Sequence, residues 1–142
     1  MKNAISILLF AVVLMAASCS KDDDNNSSVS SQVATSVQSG TWRITSYVDN
    51  GNDETSDFSS FTFTFSSGGT LNVVGGAITA SGTWATGIDD SKNKLVLFFA
   101  SPALLAEISE DWEIISHSSA QVNLRHISGG SGETDLLVFQ KN

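Results

Sequence analysis

The stretch Phe61-Thr62-Phe63-Thr64-Phe65 constrains the fold more than any other part of this chain. Rings alternate with hydroxyls, and residues two apart share a face only in an extended strand. The pattern predicts a β-strand with its rings turned to a core and its threonines to solvent. The same period recurs along the chain. Residues 40–48 predict a first strand, with Trp42, Ile44 and Val48 on one face. Residues 61–65, 70–74, 77–84 and 93–99 predict four more, the last apolar on both faces, and 111–117, 121–127 and 134–140 bring the total to eight. After the fifth strand, Ser101-Pro102 predicts a short helix over 103–108, with Ser as N-cap and Pro in the first helical position. Residues 49–57 form a polar connection in which Asn50-Gly51 marks a turn.

Short connections make sequential strands pair antiparallel. Eight such strands with one apolar face predict an all-β, up-and-down barrel that curls until its first and last strands meet, removing open edges. A two-sheet sandwich satisfies the same strand count. A membrane-spanning barrel fits poorly, since Thr62, Thr64, Asn72, Asn123 and Arg125 would face lipid.

The first residues fix an address. Lys2 precedes an apolar run over 4–15, and Ala16-Ala17-Ser18 leads to Cys19, the single cysteine. This is the order of a secretory signal over 1–18. The run is too short for a transmembrane helix, which needs about 20 apolar residues. The segment resembles the lipobox of bacterial lipoproteins, which implies that Cys19 is the lipid-bearing (palmitate-type acylated) first residue after cleavage. A lone exported thiol without disulfide partners agrees with that reading. Ser20-Lys21-Asp22-Asp23-Asp24 resembles the acidic export signal of Bacteroidota surface lipoproteins, and so implies the outer membrane with exposure at the cell surface; the periplasmic face is the alternative. Residues 19–39 read as the lipidated Cys followed by a disordered tether, poor in apolar residues. Residues 40–142 form the folded body.

The formal net charge is −8, and every acidic residue follows Cys19. An acidic body argues against nucleic acid and against electrostatic docking on anionic lipid. Mutual repulsion favours a monomer.

Gly40-Thr41-Trp42 at the head of the first strand resembles the lipocalin signature, in which the Trp closes the barrel floor under a basic residue from the last strand. Lys141 is the residue that the resemblance puts over Trp42, provided that Leu137, Phe139 and Lys141 face inward; Leu136 and Val138 support the opposite parity. A second Gly82-Thr83-Trp84, the Leu95/Leu97/Phe99 strand, Asp111-Trp112-Glu113-Ile114 and Leu137-Val138-Phe139-Gln140-Lys141 complete a likeness to lipocalin-like lipoproteins of Bacteroidota. It implies an eight-stranded barrel without assigning an activity. The repeated Ser-Gly-Thr-Trp reads as one device used twice, a Gly bend that lets a ring swing inward, rather than as duplicated halves.

The chemistry-bearing residues are sparse. His117 and His126 lie on consecutive strands, several residue pairs apart, too far to share a metal, and no zinc motif, phosphate loop or Ser-His-Asp order appears. No enzyme, metal or cofactor is expected. His117 reads as a surface residue, and His126 as a polar group at the barrel mouth. The segment 49–54 is rich in oxygen but lacks the Gly and Glu positions of an EF-hand. Glu110, Asp111 and Glu113 make an acidic rim. Trp42, Phe61, Phe63, Phe65, Trp84, Phe99 and Trp112, with His126 at the mouth, are candidates for the walls of a pocket for a small apolar or amphipathic ligand, lidded by 103–108. The other reading makes all seven rings core, because a barrel of this size can be filled by side chains. The barrel would then be an interaction module that contacts a protein or glycan.

Overall fold

The computed structural model describes residues 28–142. The predicted signal, Cys19 and residues 20–27 lie outside the described residues. In chain order the elements are α1 (Val29–Val37), β1 (Trp42–Asp49), β2 (Asn52–Asp53), a 3₁₀ turn (Thr55–Phe58), β3 (Thr62–Phe65), β4 (Thr70–Gly75), β5 (Ile78–Asp89), β6 (Lys92–Phe98), α2 (Ala103–Ala106), β7 (Asp111–His117), β8 (Gln121–Ile127) and β9 (Thr134–Lys141). The strands pair in the order β1-β3-β4-β5-β6-β7-β8-β9, and β9 pairs back onto β1. Every pairing is antiparallel. The two-residue β2 is a spur on β1, formed through the Asn50-Gly51 turn. The fold is a closed eight-stranded antiparallel barrel, with a short helix after the fifth barrel strand.

The register settles the parity of the last strand. Trp42 stands opposite Lys141 and Ile44 opposite Phe139. Leu137 and Phe139 are fully buried, whereas Leu136 is exposed. One face of β1 departs from expectation. A bulge at Thr45 shifts the register between Ile44 and Ser46, so Tyr47 is buried and Val48 is not. An extra residue reverses the alternation beyond it. A second bulge, between Ile114 and Ser116, leaves Ile115 exposed.

Both ends of the barrel are closed. At one end α1 lies across the opening. This overturns the reading of residues 19–39 as a disordered tether, for the part from Ser28 onward. Ser28 caps the helix by accepting the Ser31 N–H at 3.3 Å. Ser30, Val33 and Val37 lie on one helical face and are buried. The mean polarity of the segment hid that stripe. The helix is held at both ends: the Trp42 indole N–H donates to the Val37 carbonyl at 2.9 Å, and the Ser30 N–H to Asn93 Oδ1 at 3.1 Å. At the other end, Phe58 from the 3₁₀ turn and Leu105 and Ile108 around α2 are fully buried. The Trp112 indole donates to the Ile108 carbonyl at 3.0 Å, and the Tyr47 hydroxyl to the Glu107 carbonyl at 3.1 Å. Residues 103–108 are therefore a plug rather than a lid. Helix α2 ends at Ala106, two residues short of the predicted end, and Pro102 rather than Ser101 takes the cap position, with no side-chain cap.

The two Ser-Gly-Thr-Trp motifs do not share one device: Gly40 leads the chain into β1 with a positive φ, whereas Gly82 lies inside β5 and leaves room for a close crossing. Gly40 has φ +81°, and a Cβ there would meet Lys141 Cε at 2.9 Å. At Gly82 a Cβ would lie 2.3 Å from the Phe98 carbonyl oxygen and 2.5 Å from the Phe99 ring, because the chain leaving β6 crosses the inner face of β5 at that point. Gly82→Ala is expected to lose about 1–3 kcal/mol, the usual range for overpacking against an unyielding neighbour. Urea denaturation measures it, and an unchanged midpoint would mean the crossing is loose.

Candidate functional site

The structure places all seven pocket-candidate rings in one core. Trp42 and Phe63 are fully buried, and Phe61, Phe65, Phe99 and Trp112 nearly so; Trp84 is the most exposed at 8%. They pack edge to face. Phe139 meets Phe63 at 5.2 Å and Phe65 at 5.6 Å between ring centroids, and Phe65 meets Trp84 at 5.5 Å. Phe61 continues the chain of rings to Phe63 and Phe58. Such contacts add about 0.5–1.5 kcal/mol each beyond the area they bury. The indole N–H groups are consumed within the fold, that of Trp84 by the Ser66 carbonyl at 2.9 Å. The rings thus pack on one another and on the elements at the barrel ends, the arrangement that the filled-barrel reading expects. Burial also pushes the Tyr47 hydroxyl well above the tyrosine range, with Asp49 and Glu107 adding to the effect.

Lys141 shares the inward parity of Trp42, but its stem runs over Gly40 and its amine donates to Ser39 Oγ at 3.1 Å. Helix α1 takes the place over Trp42 that the lipocalin likeness gave to the lysine.

The polar chemistry lies on the outer wall, across β6, β7 and β8. Antiparallel register sets Lys94 opposite Glu113 and Glu113 opposite Arg125, so three charged side chains form one outward row. Arg125 Nη2 donates to Glu113 Oε2 at 2.8 Å, and Lys92 lies 3.4 Å from the same oxygen. Lys94 pairs with Asp111 at 3.3 Å. His126, half-buried with its ring edge on Trp112, has Nδ1 3.3 Å from Asp111 and Nε2 3.6 Å from Glu110. Lys92, Lys94, Asp111, Glu113, Arg125 and His126 line a depression of about 240 Å³ with Asp90 and Ile127. Glu110, Asp111 and His126 bring three donor atoms within 4.8 Å of one another. A divalent cation needs such a span, but Lys94 already engages Asp111. Sequence reasoning named these residues separately and missed their meeting, because only the β7–β8 register and the approach from α2 bring them together. His117 is half-buried opposite Val122 rather than on the surface, and its Nδ1 has no hydrogen-bond partner among the described residues.

The hydrogen bond and charge of Arg125, with Lys92, hold the Glu113 carboxyl below its ordinary range. A carboxyl depressed in the folded state contributes stability that is present above its unfolded pKa and lost as pH falls through the folded one. The difference in urea midpoint between the wild type and Glu113→Gln is therefore expected to shrink as pH drops below about 4.3. A difference that persists to pH 2.5 would mean that the ion pair contributes nothing.

Asp49 to Glu54 does not gather its oxygens round one point. The segment is the β1–β2 hairpin, and Asp53 turns back to accept the Thr55 N–H at 3.0 Å.

Fold and site together define a class: a closed antiparallel barrel filled with aromatic rings, plugged at both ends and charged on its outer wall. The chain is similar in structure to a DUF4847 family protein from Bacteroides vulgatus ATCC 8482, with a TM-score of 0.50 and 17% sequence identity over 78% of this chain and 97% of that one. At this identity the likeness concerns the fold. No protein-family model matches the chain, and no curated protein matches it.

Proposed function

We propose that this protein is a lipid-anchored, lipocalin-like lipoprotein of the outer membrane, displayed at the cell surface, whose barrel is a packed scaffold that contacts a protein partner through its outer wall. It works by binding, not catalysis. The observation that carries the reading is the filled interior: the rings that would have lined a pocket touch one another instead, and a plug closes each end. What remains for recognition is outside. Val96 and Phe98 are exposed on β6, and the Lys94–Glu113–Arg125 row borders them. Ile115 lies beyond Glu113 on β7, so the apolar residues flank the charges instead of forming one patch. Apolar side chains bordered by charges are the common anatomy of a protein interface.

Two measurements test this. Native mass spectrometry of the protein after exposure to cell extract is expected to give the apo mass. A small molecule that is retained natively and lost on denaturation would overturn the packed-scaffold reading. Cys19→Ala is expected to abolish metabolic labelling with palmitate and to release the protein from membranes; unchanged labelling would refute the anchor. Binding to a glycan array that the row variant Arg125→Ala abolishes would replace the protein partner with a carbohydrate.

A further inference from the structure

The barrel wall has a gap in its hydrogen bonding, and the register locates it. The Trp84 N–H donates to the Gly69 carbonyl at 2.9 Å, toward β4. Backbone groups of successive strand residues point to opposite edges, so Thr79, Ser81 and Thr83 present theirs to the β6 side. Strand β6 answers Thr83 with Phe98 and then stops. The chain crosses under Gly82, Phe99 turns into the core, and nothing continues the ladder. Among the described residues, the N–H and C=O groups of Thr79 and Ser81 on this side have no partner. Ser101 and Pro102 stand off from them, leaving a groove of about 470 Å³ along residues 77–81.

We propose that this open edge is a strand-addition site for an extended, uncharged peptide segment of a protein partner. The inference rests on the reading that the outer wall binds a protein, and it names the place and the mode. Two donors and two acceptors, repeated two residues apart at a spacing of about 6.8 Å, match the backbone of an added strand. Sequence specificity comes from the walls. Ile78, Ala80 and Pro102 are half-buried apolar residues on the groove's lining, no lining residue is charged, and the Phe98 ring is 57% exposed beside Thr83 where β6 ends. An added strand antiparallel to β5 continues the line of β6, so its first residue meets Phe98. Edges of this kind are normally blunted by charge, proline or a covering element. Here a threonine and a serine leave the edge open.

The test is selection of binders to the full-length protein in detergent from a displayed library of random octapeptides, followed by amide hydrogen exchange on the complex with the best peptide. The expected result is at least tenfold slower exchange at Thr79 and Ser81. Thr79→Pro removes one groove-facing N–H and no ladder bond, which an edge strand tolerates, and is expected to weaken peptide binding at least tenfold. Should that variant misfold, N-methylation of alternate peptide residues tests the same bonds on the wild type and is expected to abolish binding. A peptide that protects amides near Lys94 and Arg125 instead, or that binds the N-methylated form equally well, overturns the edge site while leaving the protein-binding reading standing. Selection of no peptide overturns the edge site as well.

Discussion

Phe139→Ala is expected to lower stability by about 3–5 kcal/mol and to open a cavity in the middle of the barrel. Phe139 is fully buried and is the ring on which Phe63 and Phe65 both pack edge-on. It also stands opposite Ile44 on the pairing that closes the barrel and opposite Val122 on the other side. Neighbours fixed in strands on both sides have little freedom to collapse, which puts the loss high in the range for a large ring. A domain of this size is stable by only about 5–15 kcal/mol, so the variant should unfold at much lower urea. Benzene makes the experiment sharper. An apolar cavity of that kind stays dry and accepts such a molecule, so saturating benzene should raise the melting temperature of Phe139→Ala and leave the wild type unmoved. A wild type that benzene stabilises would show usable space inside the barrel and restore the reading of the rings as walls of a ligand pocket.

Val33→Asp is the second large effect, about 3–5 kcal/mol, the range for a buried charge left without a partner. Val33 is fully buried under α1 at the end where Trp42 donates to Val37. A carboxylate there must either stay charged away from water or lift the helix off the barrel, exposing Trp42. Ser31→Asp, on the exposed side of the same helix, serves as control and should change stability by less than about 0.5 kcal/mol. Denaturation followed by tryptophan fluorescence reads both. Equal effects from the two variants would mean that α1 is not part of the core.

Much of the barrel was legible in the sequence, and the reasons are local. Strands such as 61–65 carry their facing in a period of two, and Trp42 with Phe139 and Lys141 sets the closing register once parity is known. What stayed hidden depends on contacts far apart in the chain. A bulge at Thr45 has no signature in the residues themselves, so Tyr47 could not be told from Val48 as the inward residue. Helix α1 is polar on average, and its valines gain a partner only when the barrel end exists. The meeting of His126 with Glu110 and Asp111 needs both the strand register and the path of the chain after α2. A filled interior and an open one share the same alternation, so packing alone decides between them.

The helix across the barrel end also sets a distance. With α1 folded into the body from Val29 onward, only residues 20–28 separate it from Cys19. Whatever their conformation, nine residues reach at most about 32 Å. If Cys19 carries the lipid we propose, the α1 end stays within that reach of the bilayer. The plugs of α2 and the 3₁₀ turn then lie at the barrel end opposite the anchor, and the groove beside Thr79, which borders Pro102, lies nearer to that end than to α1.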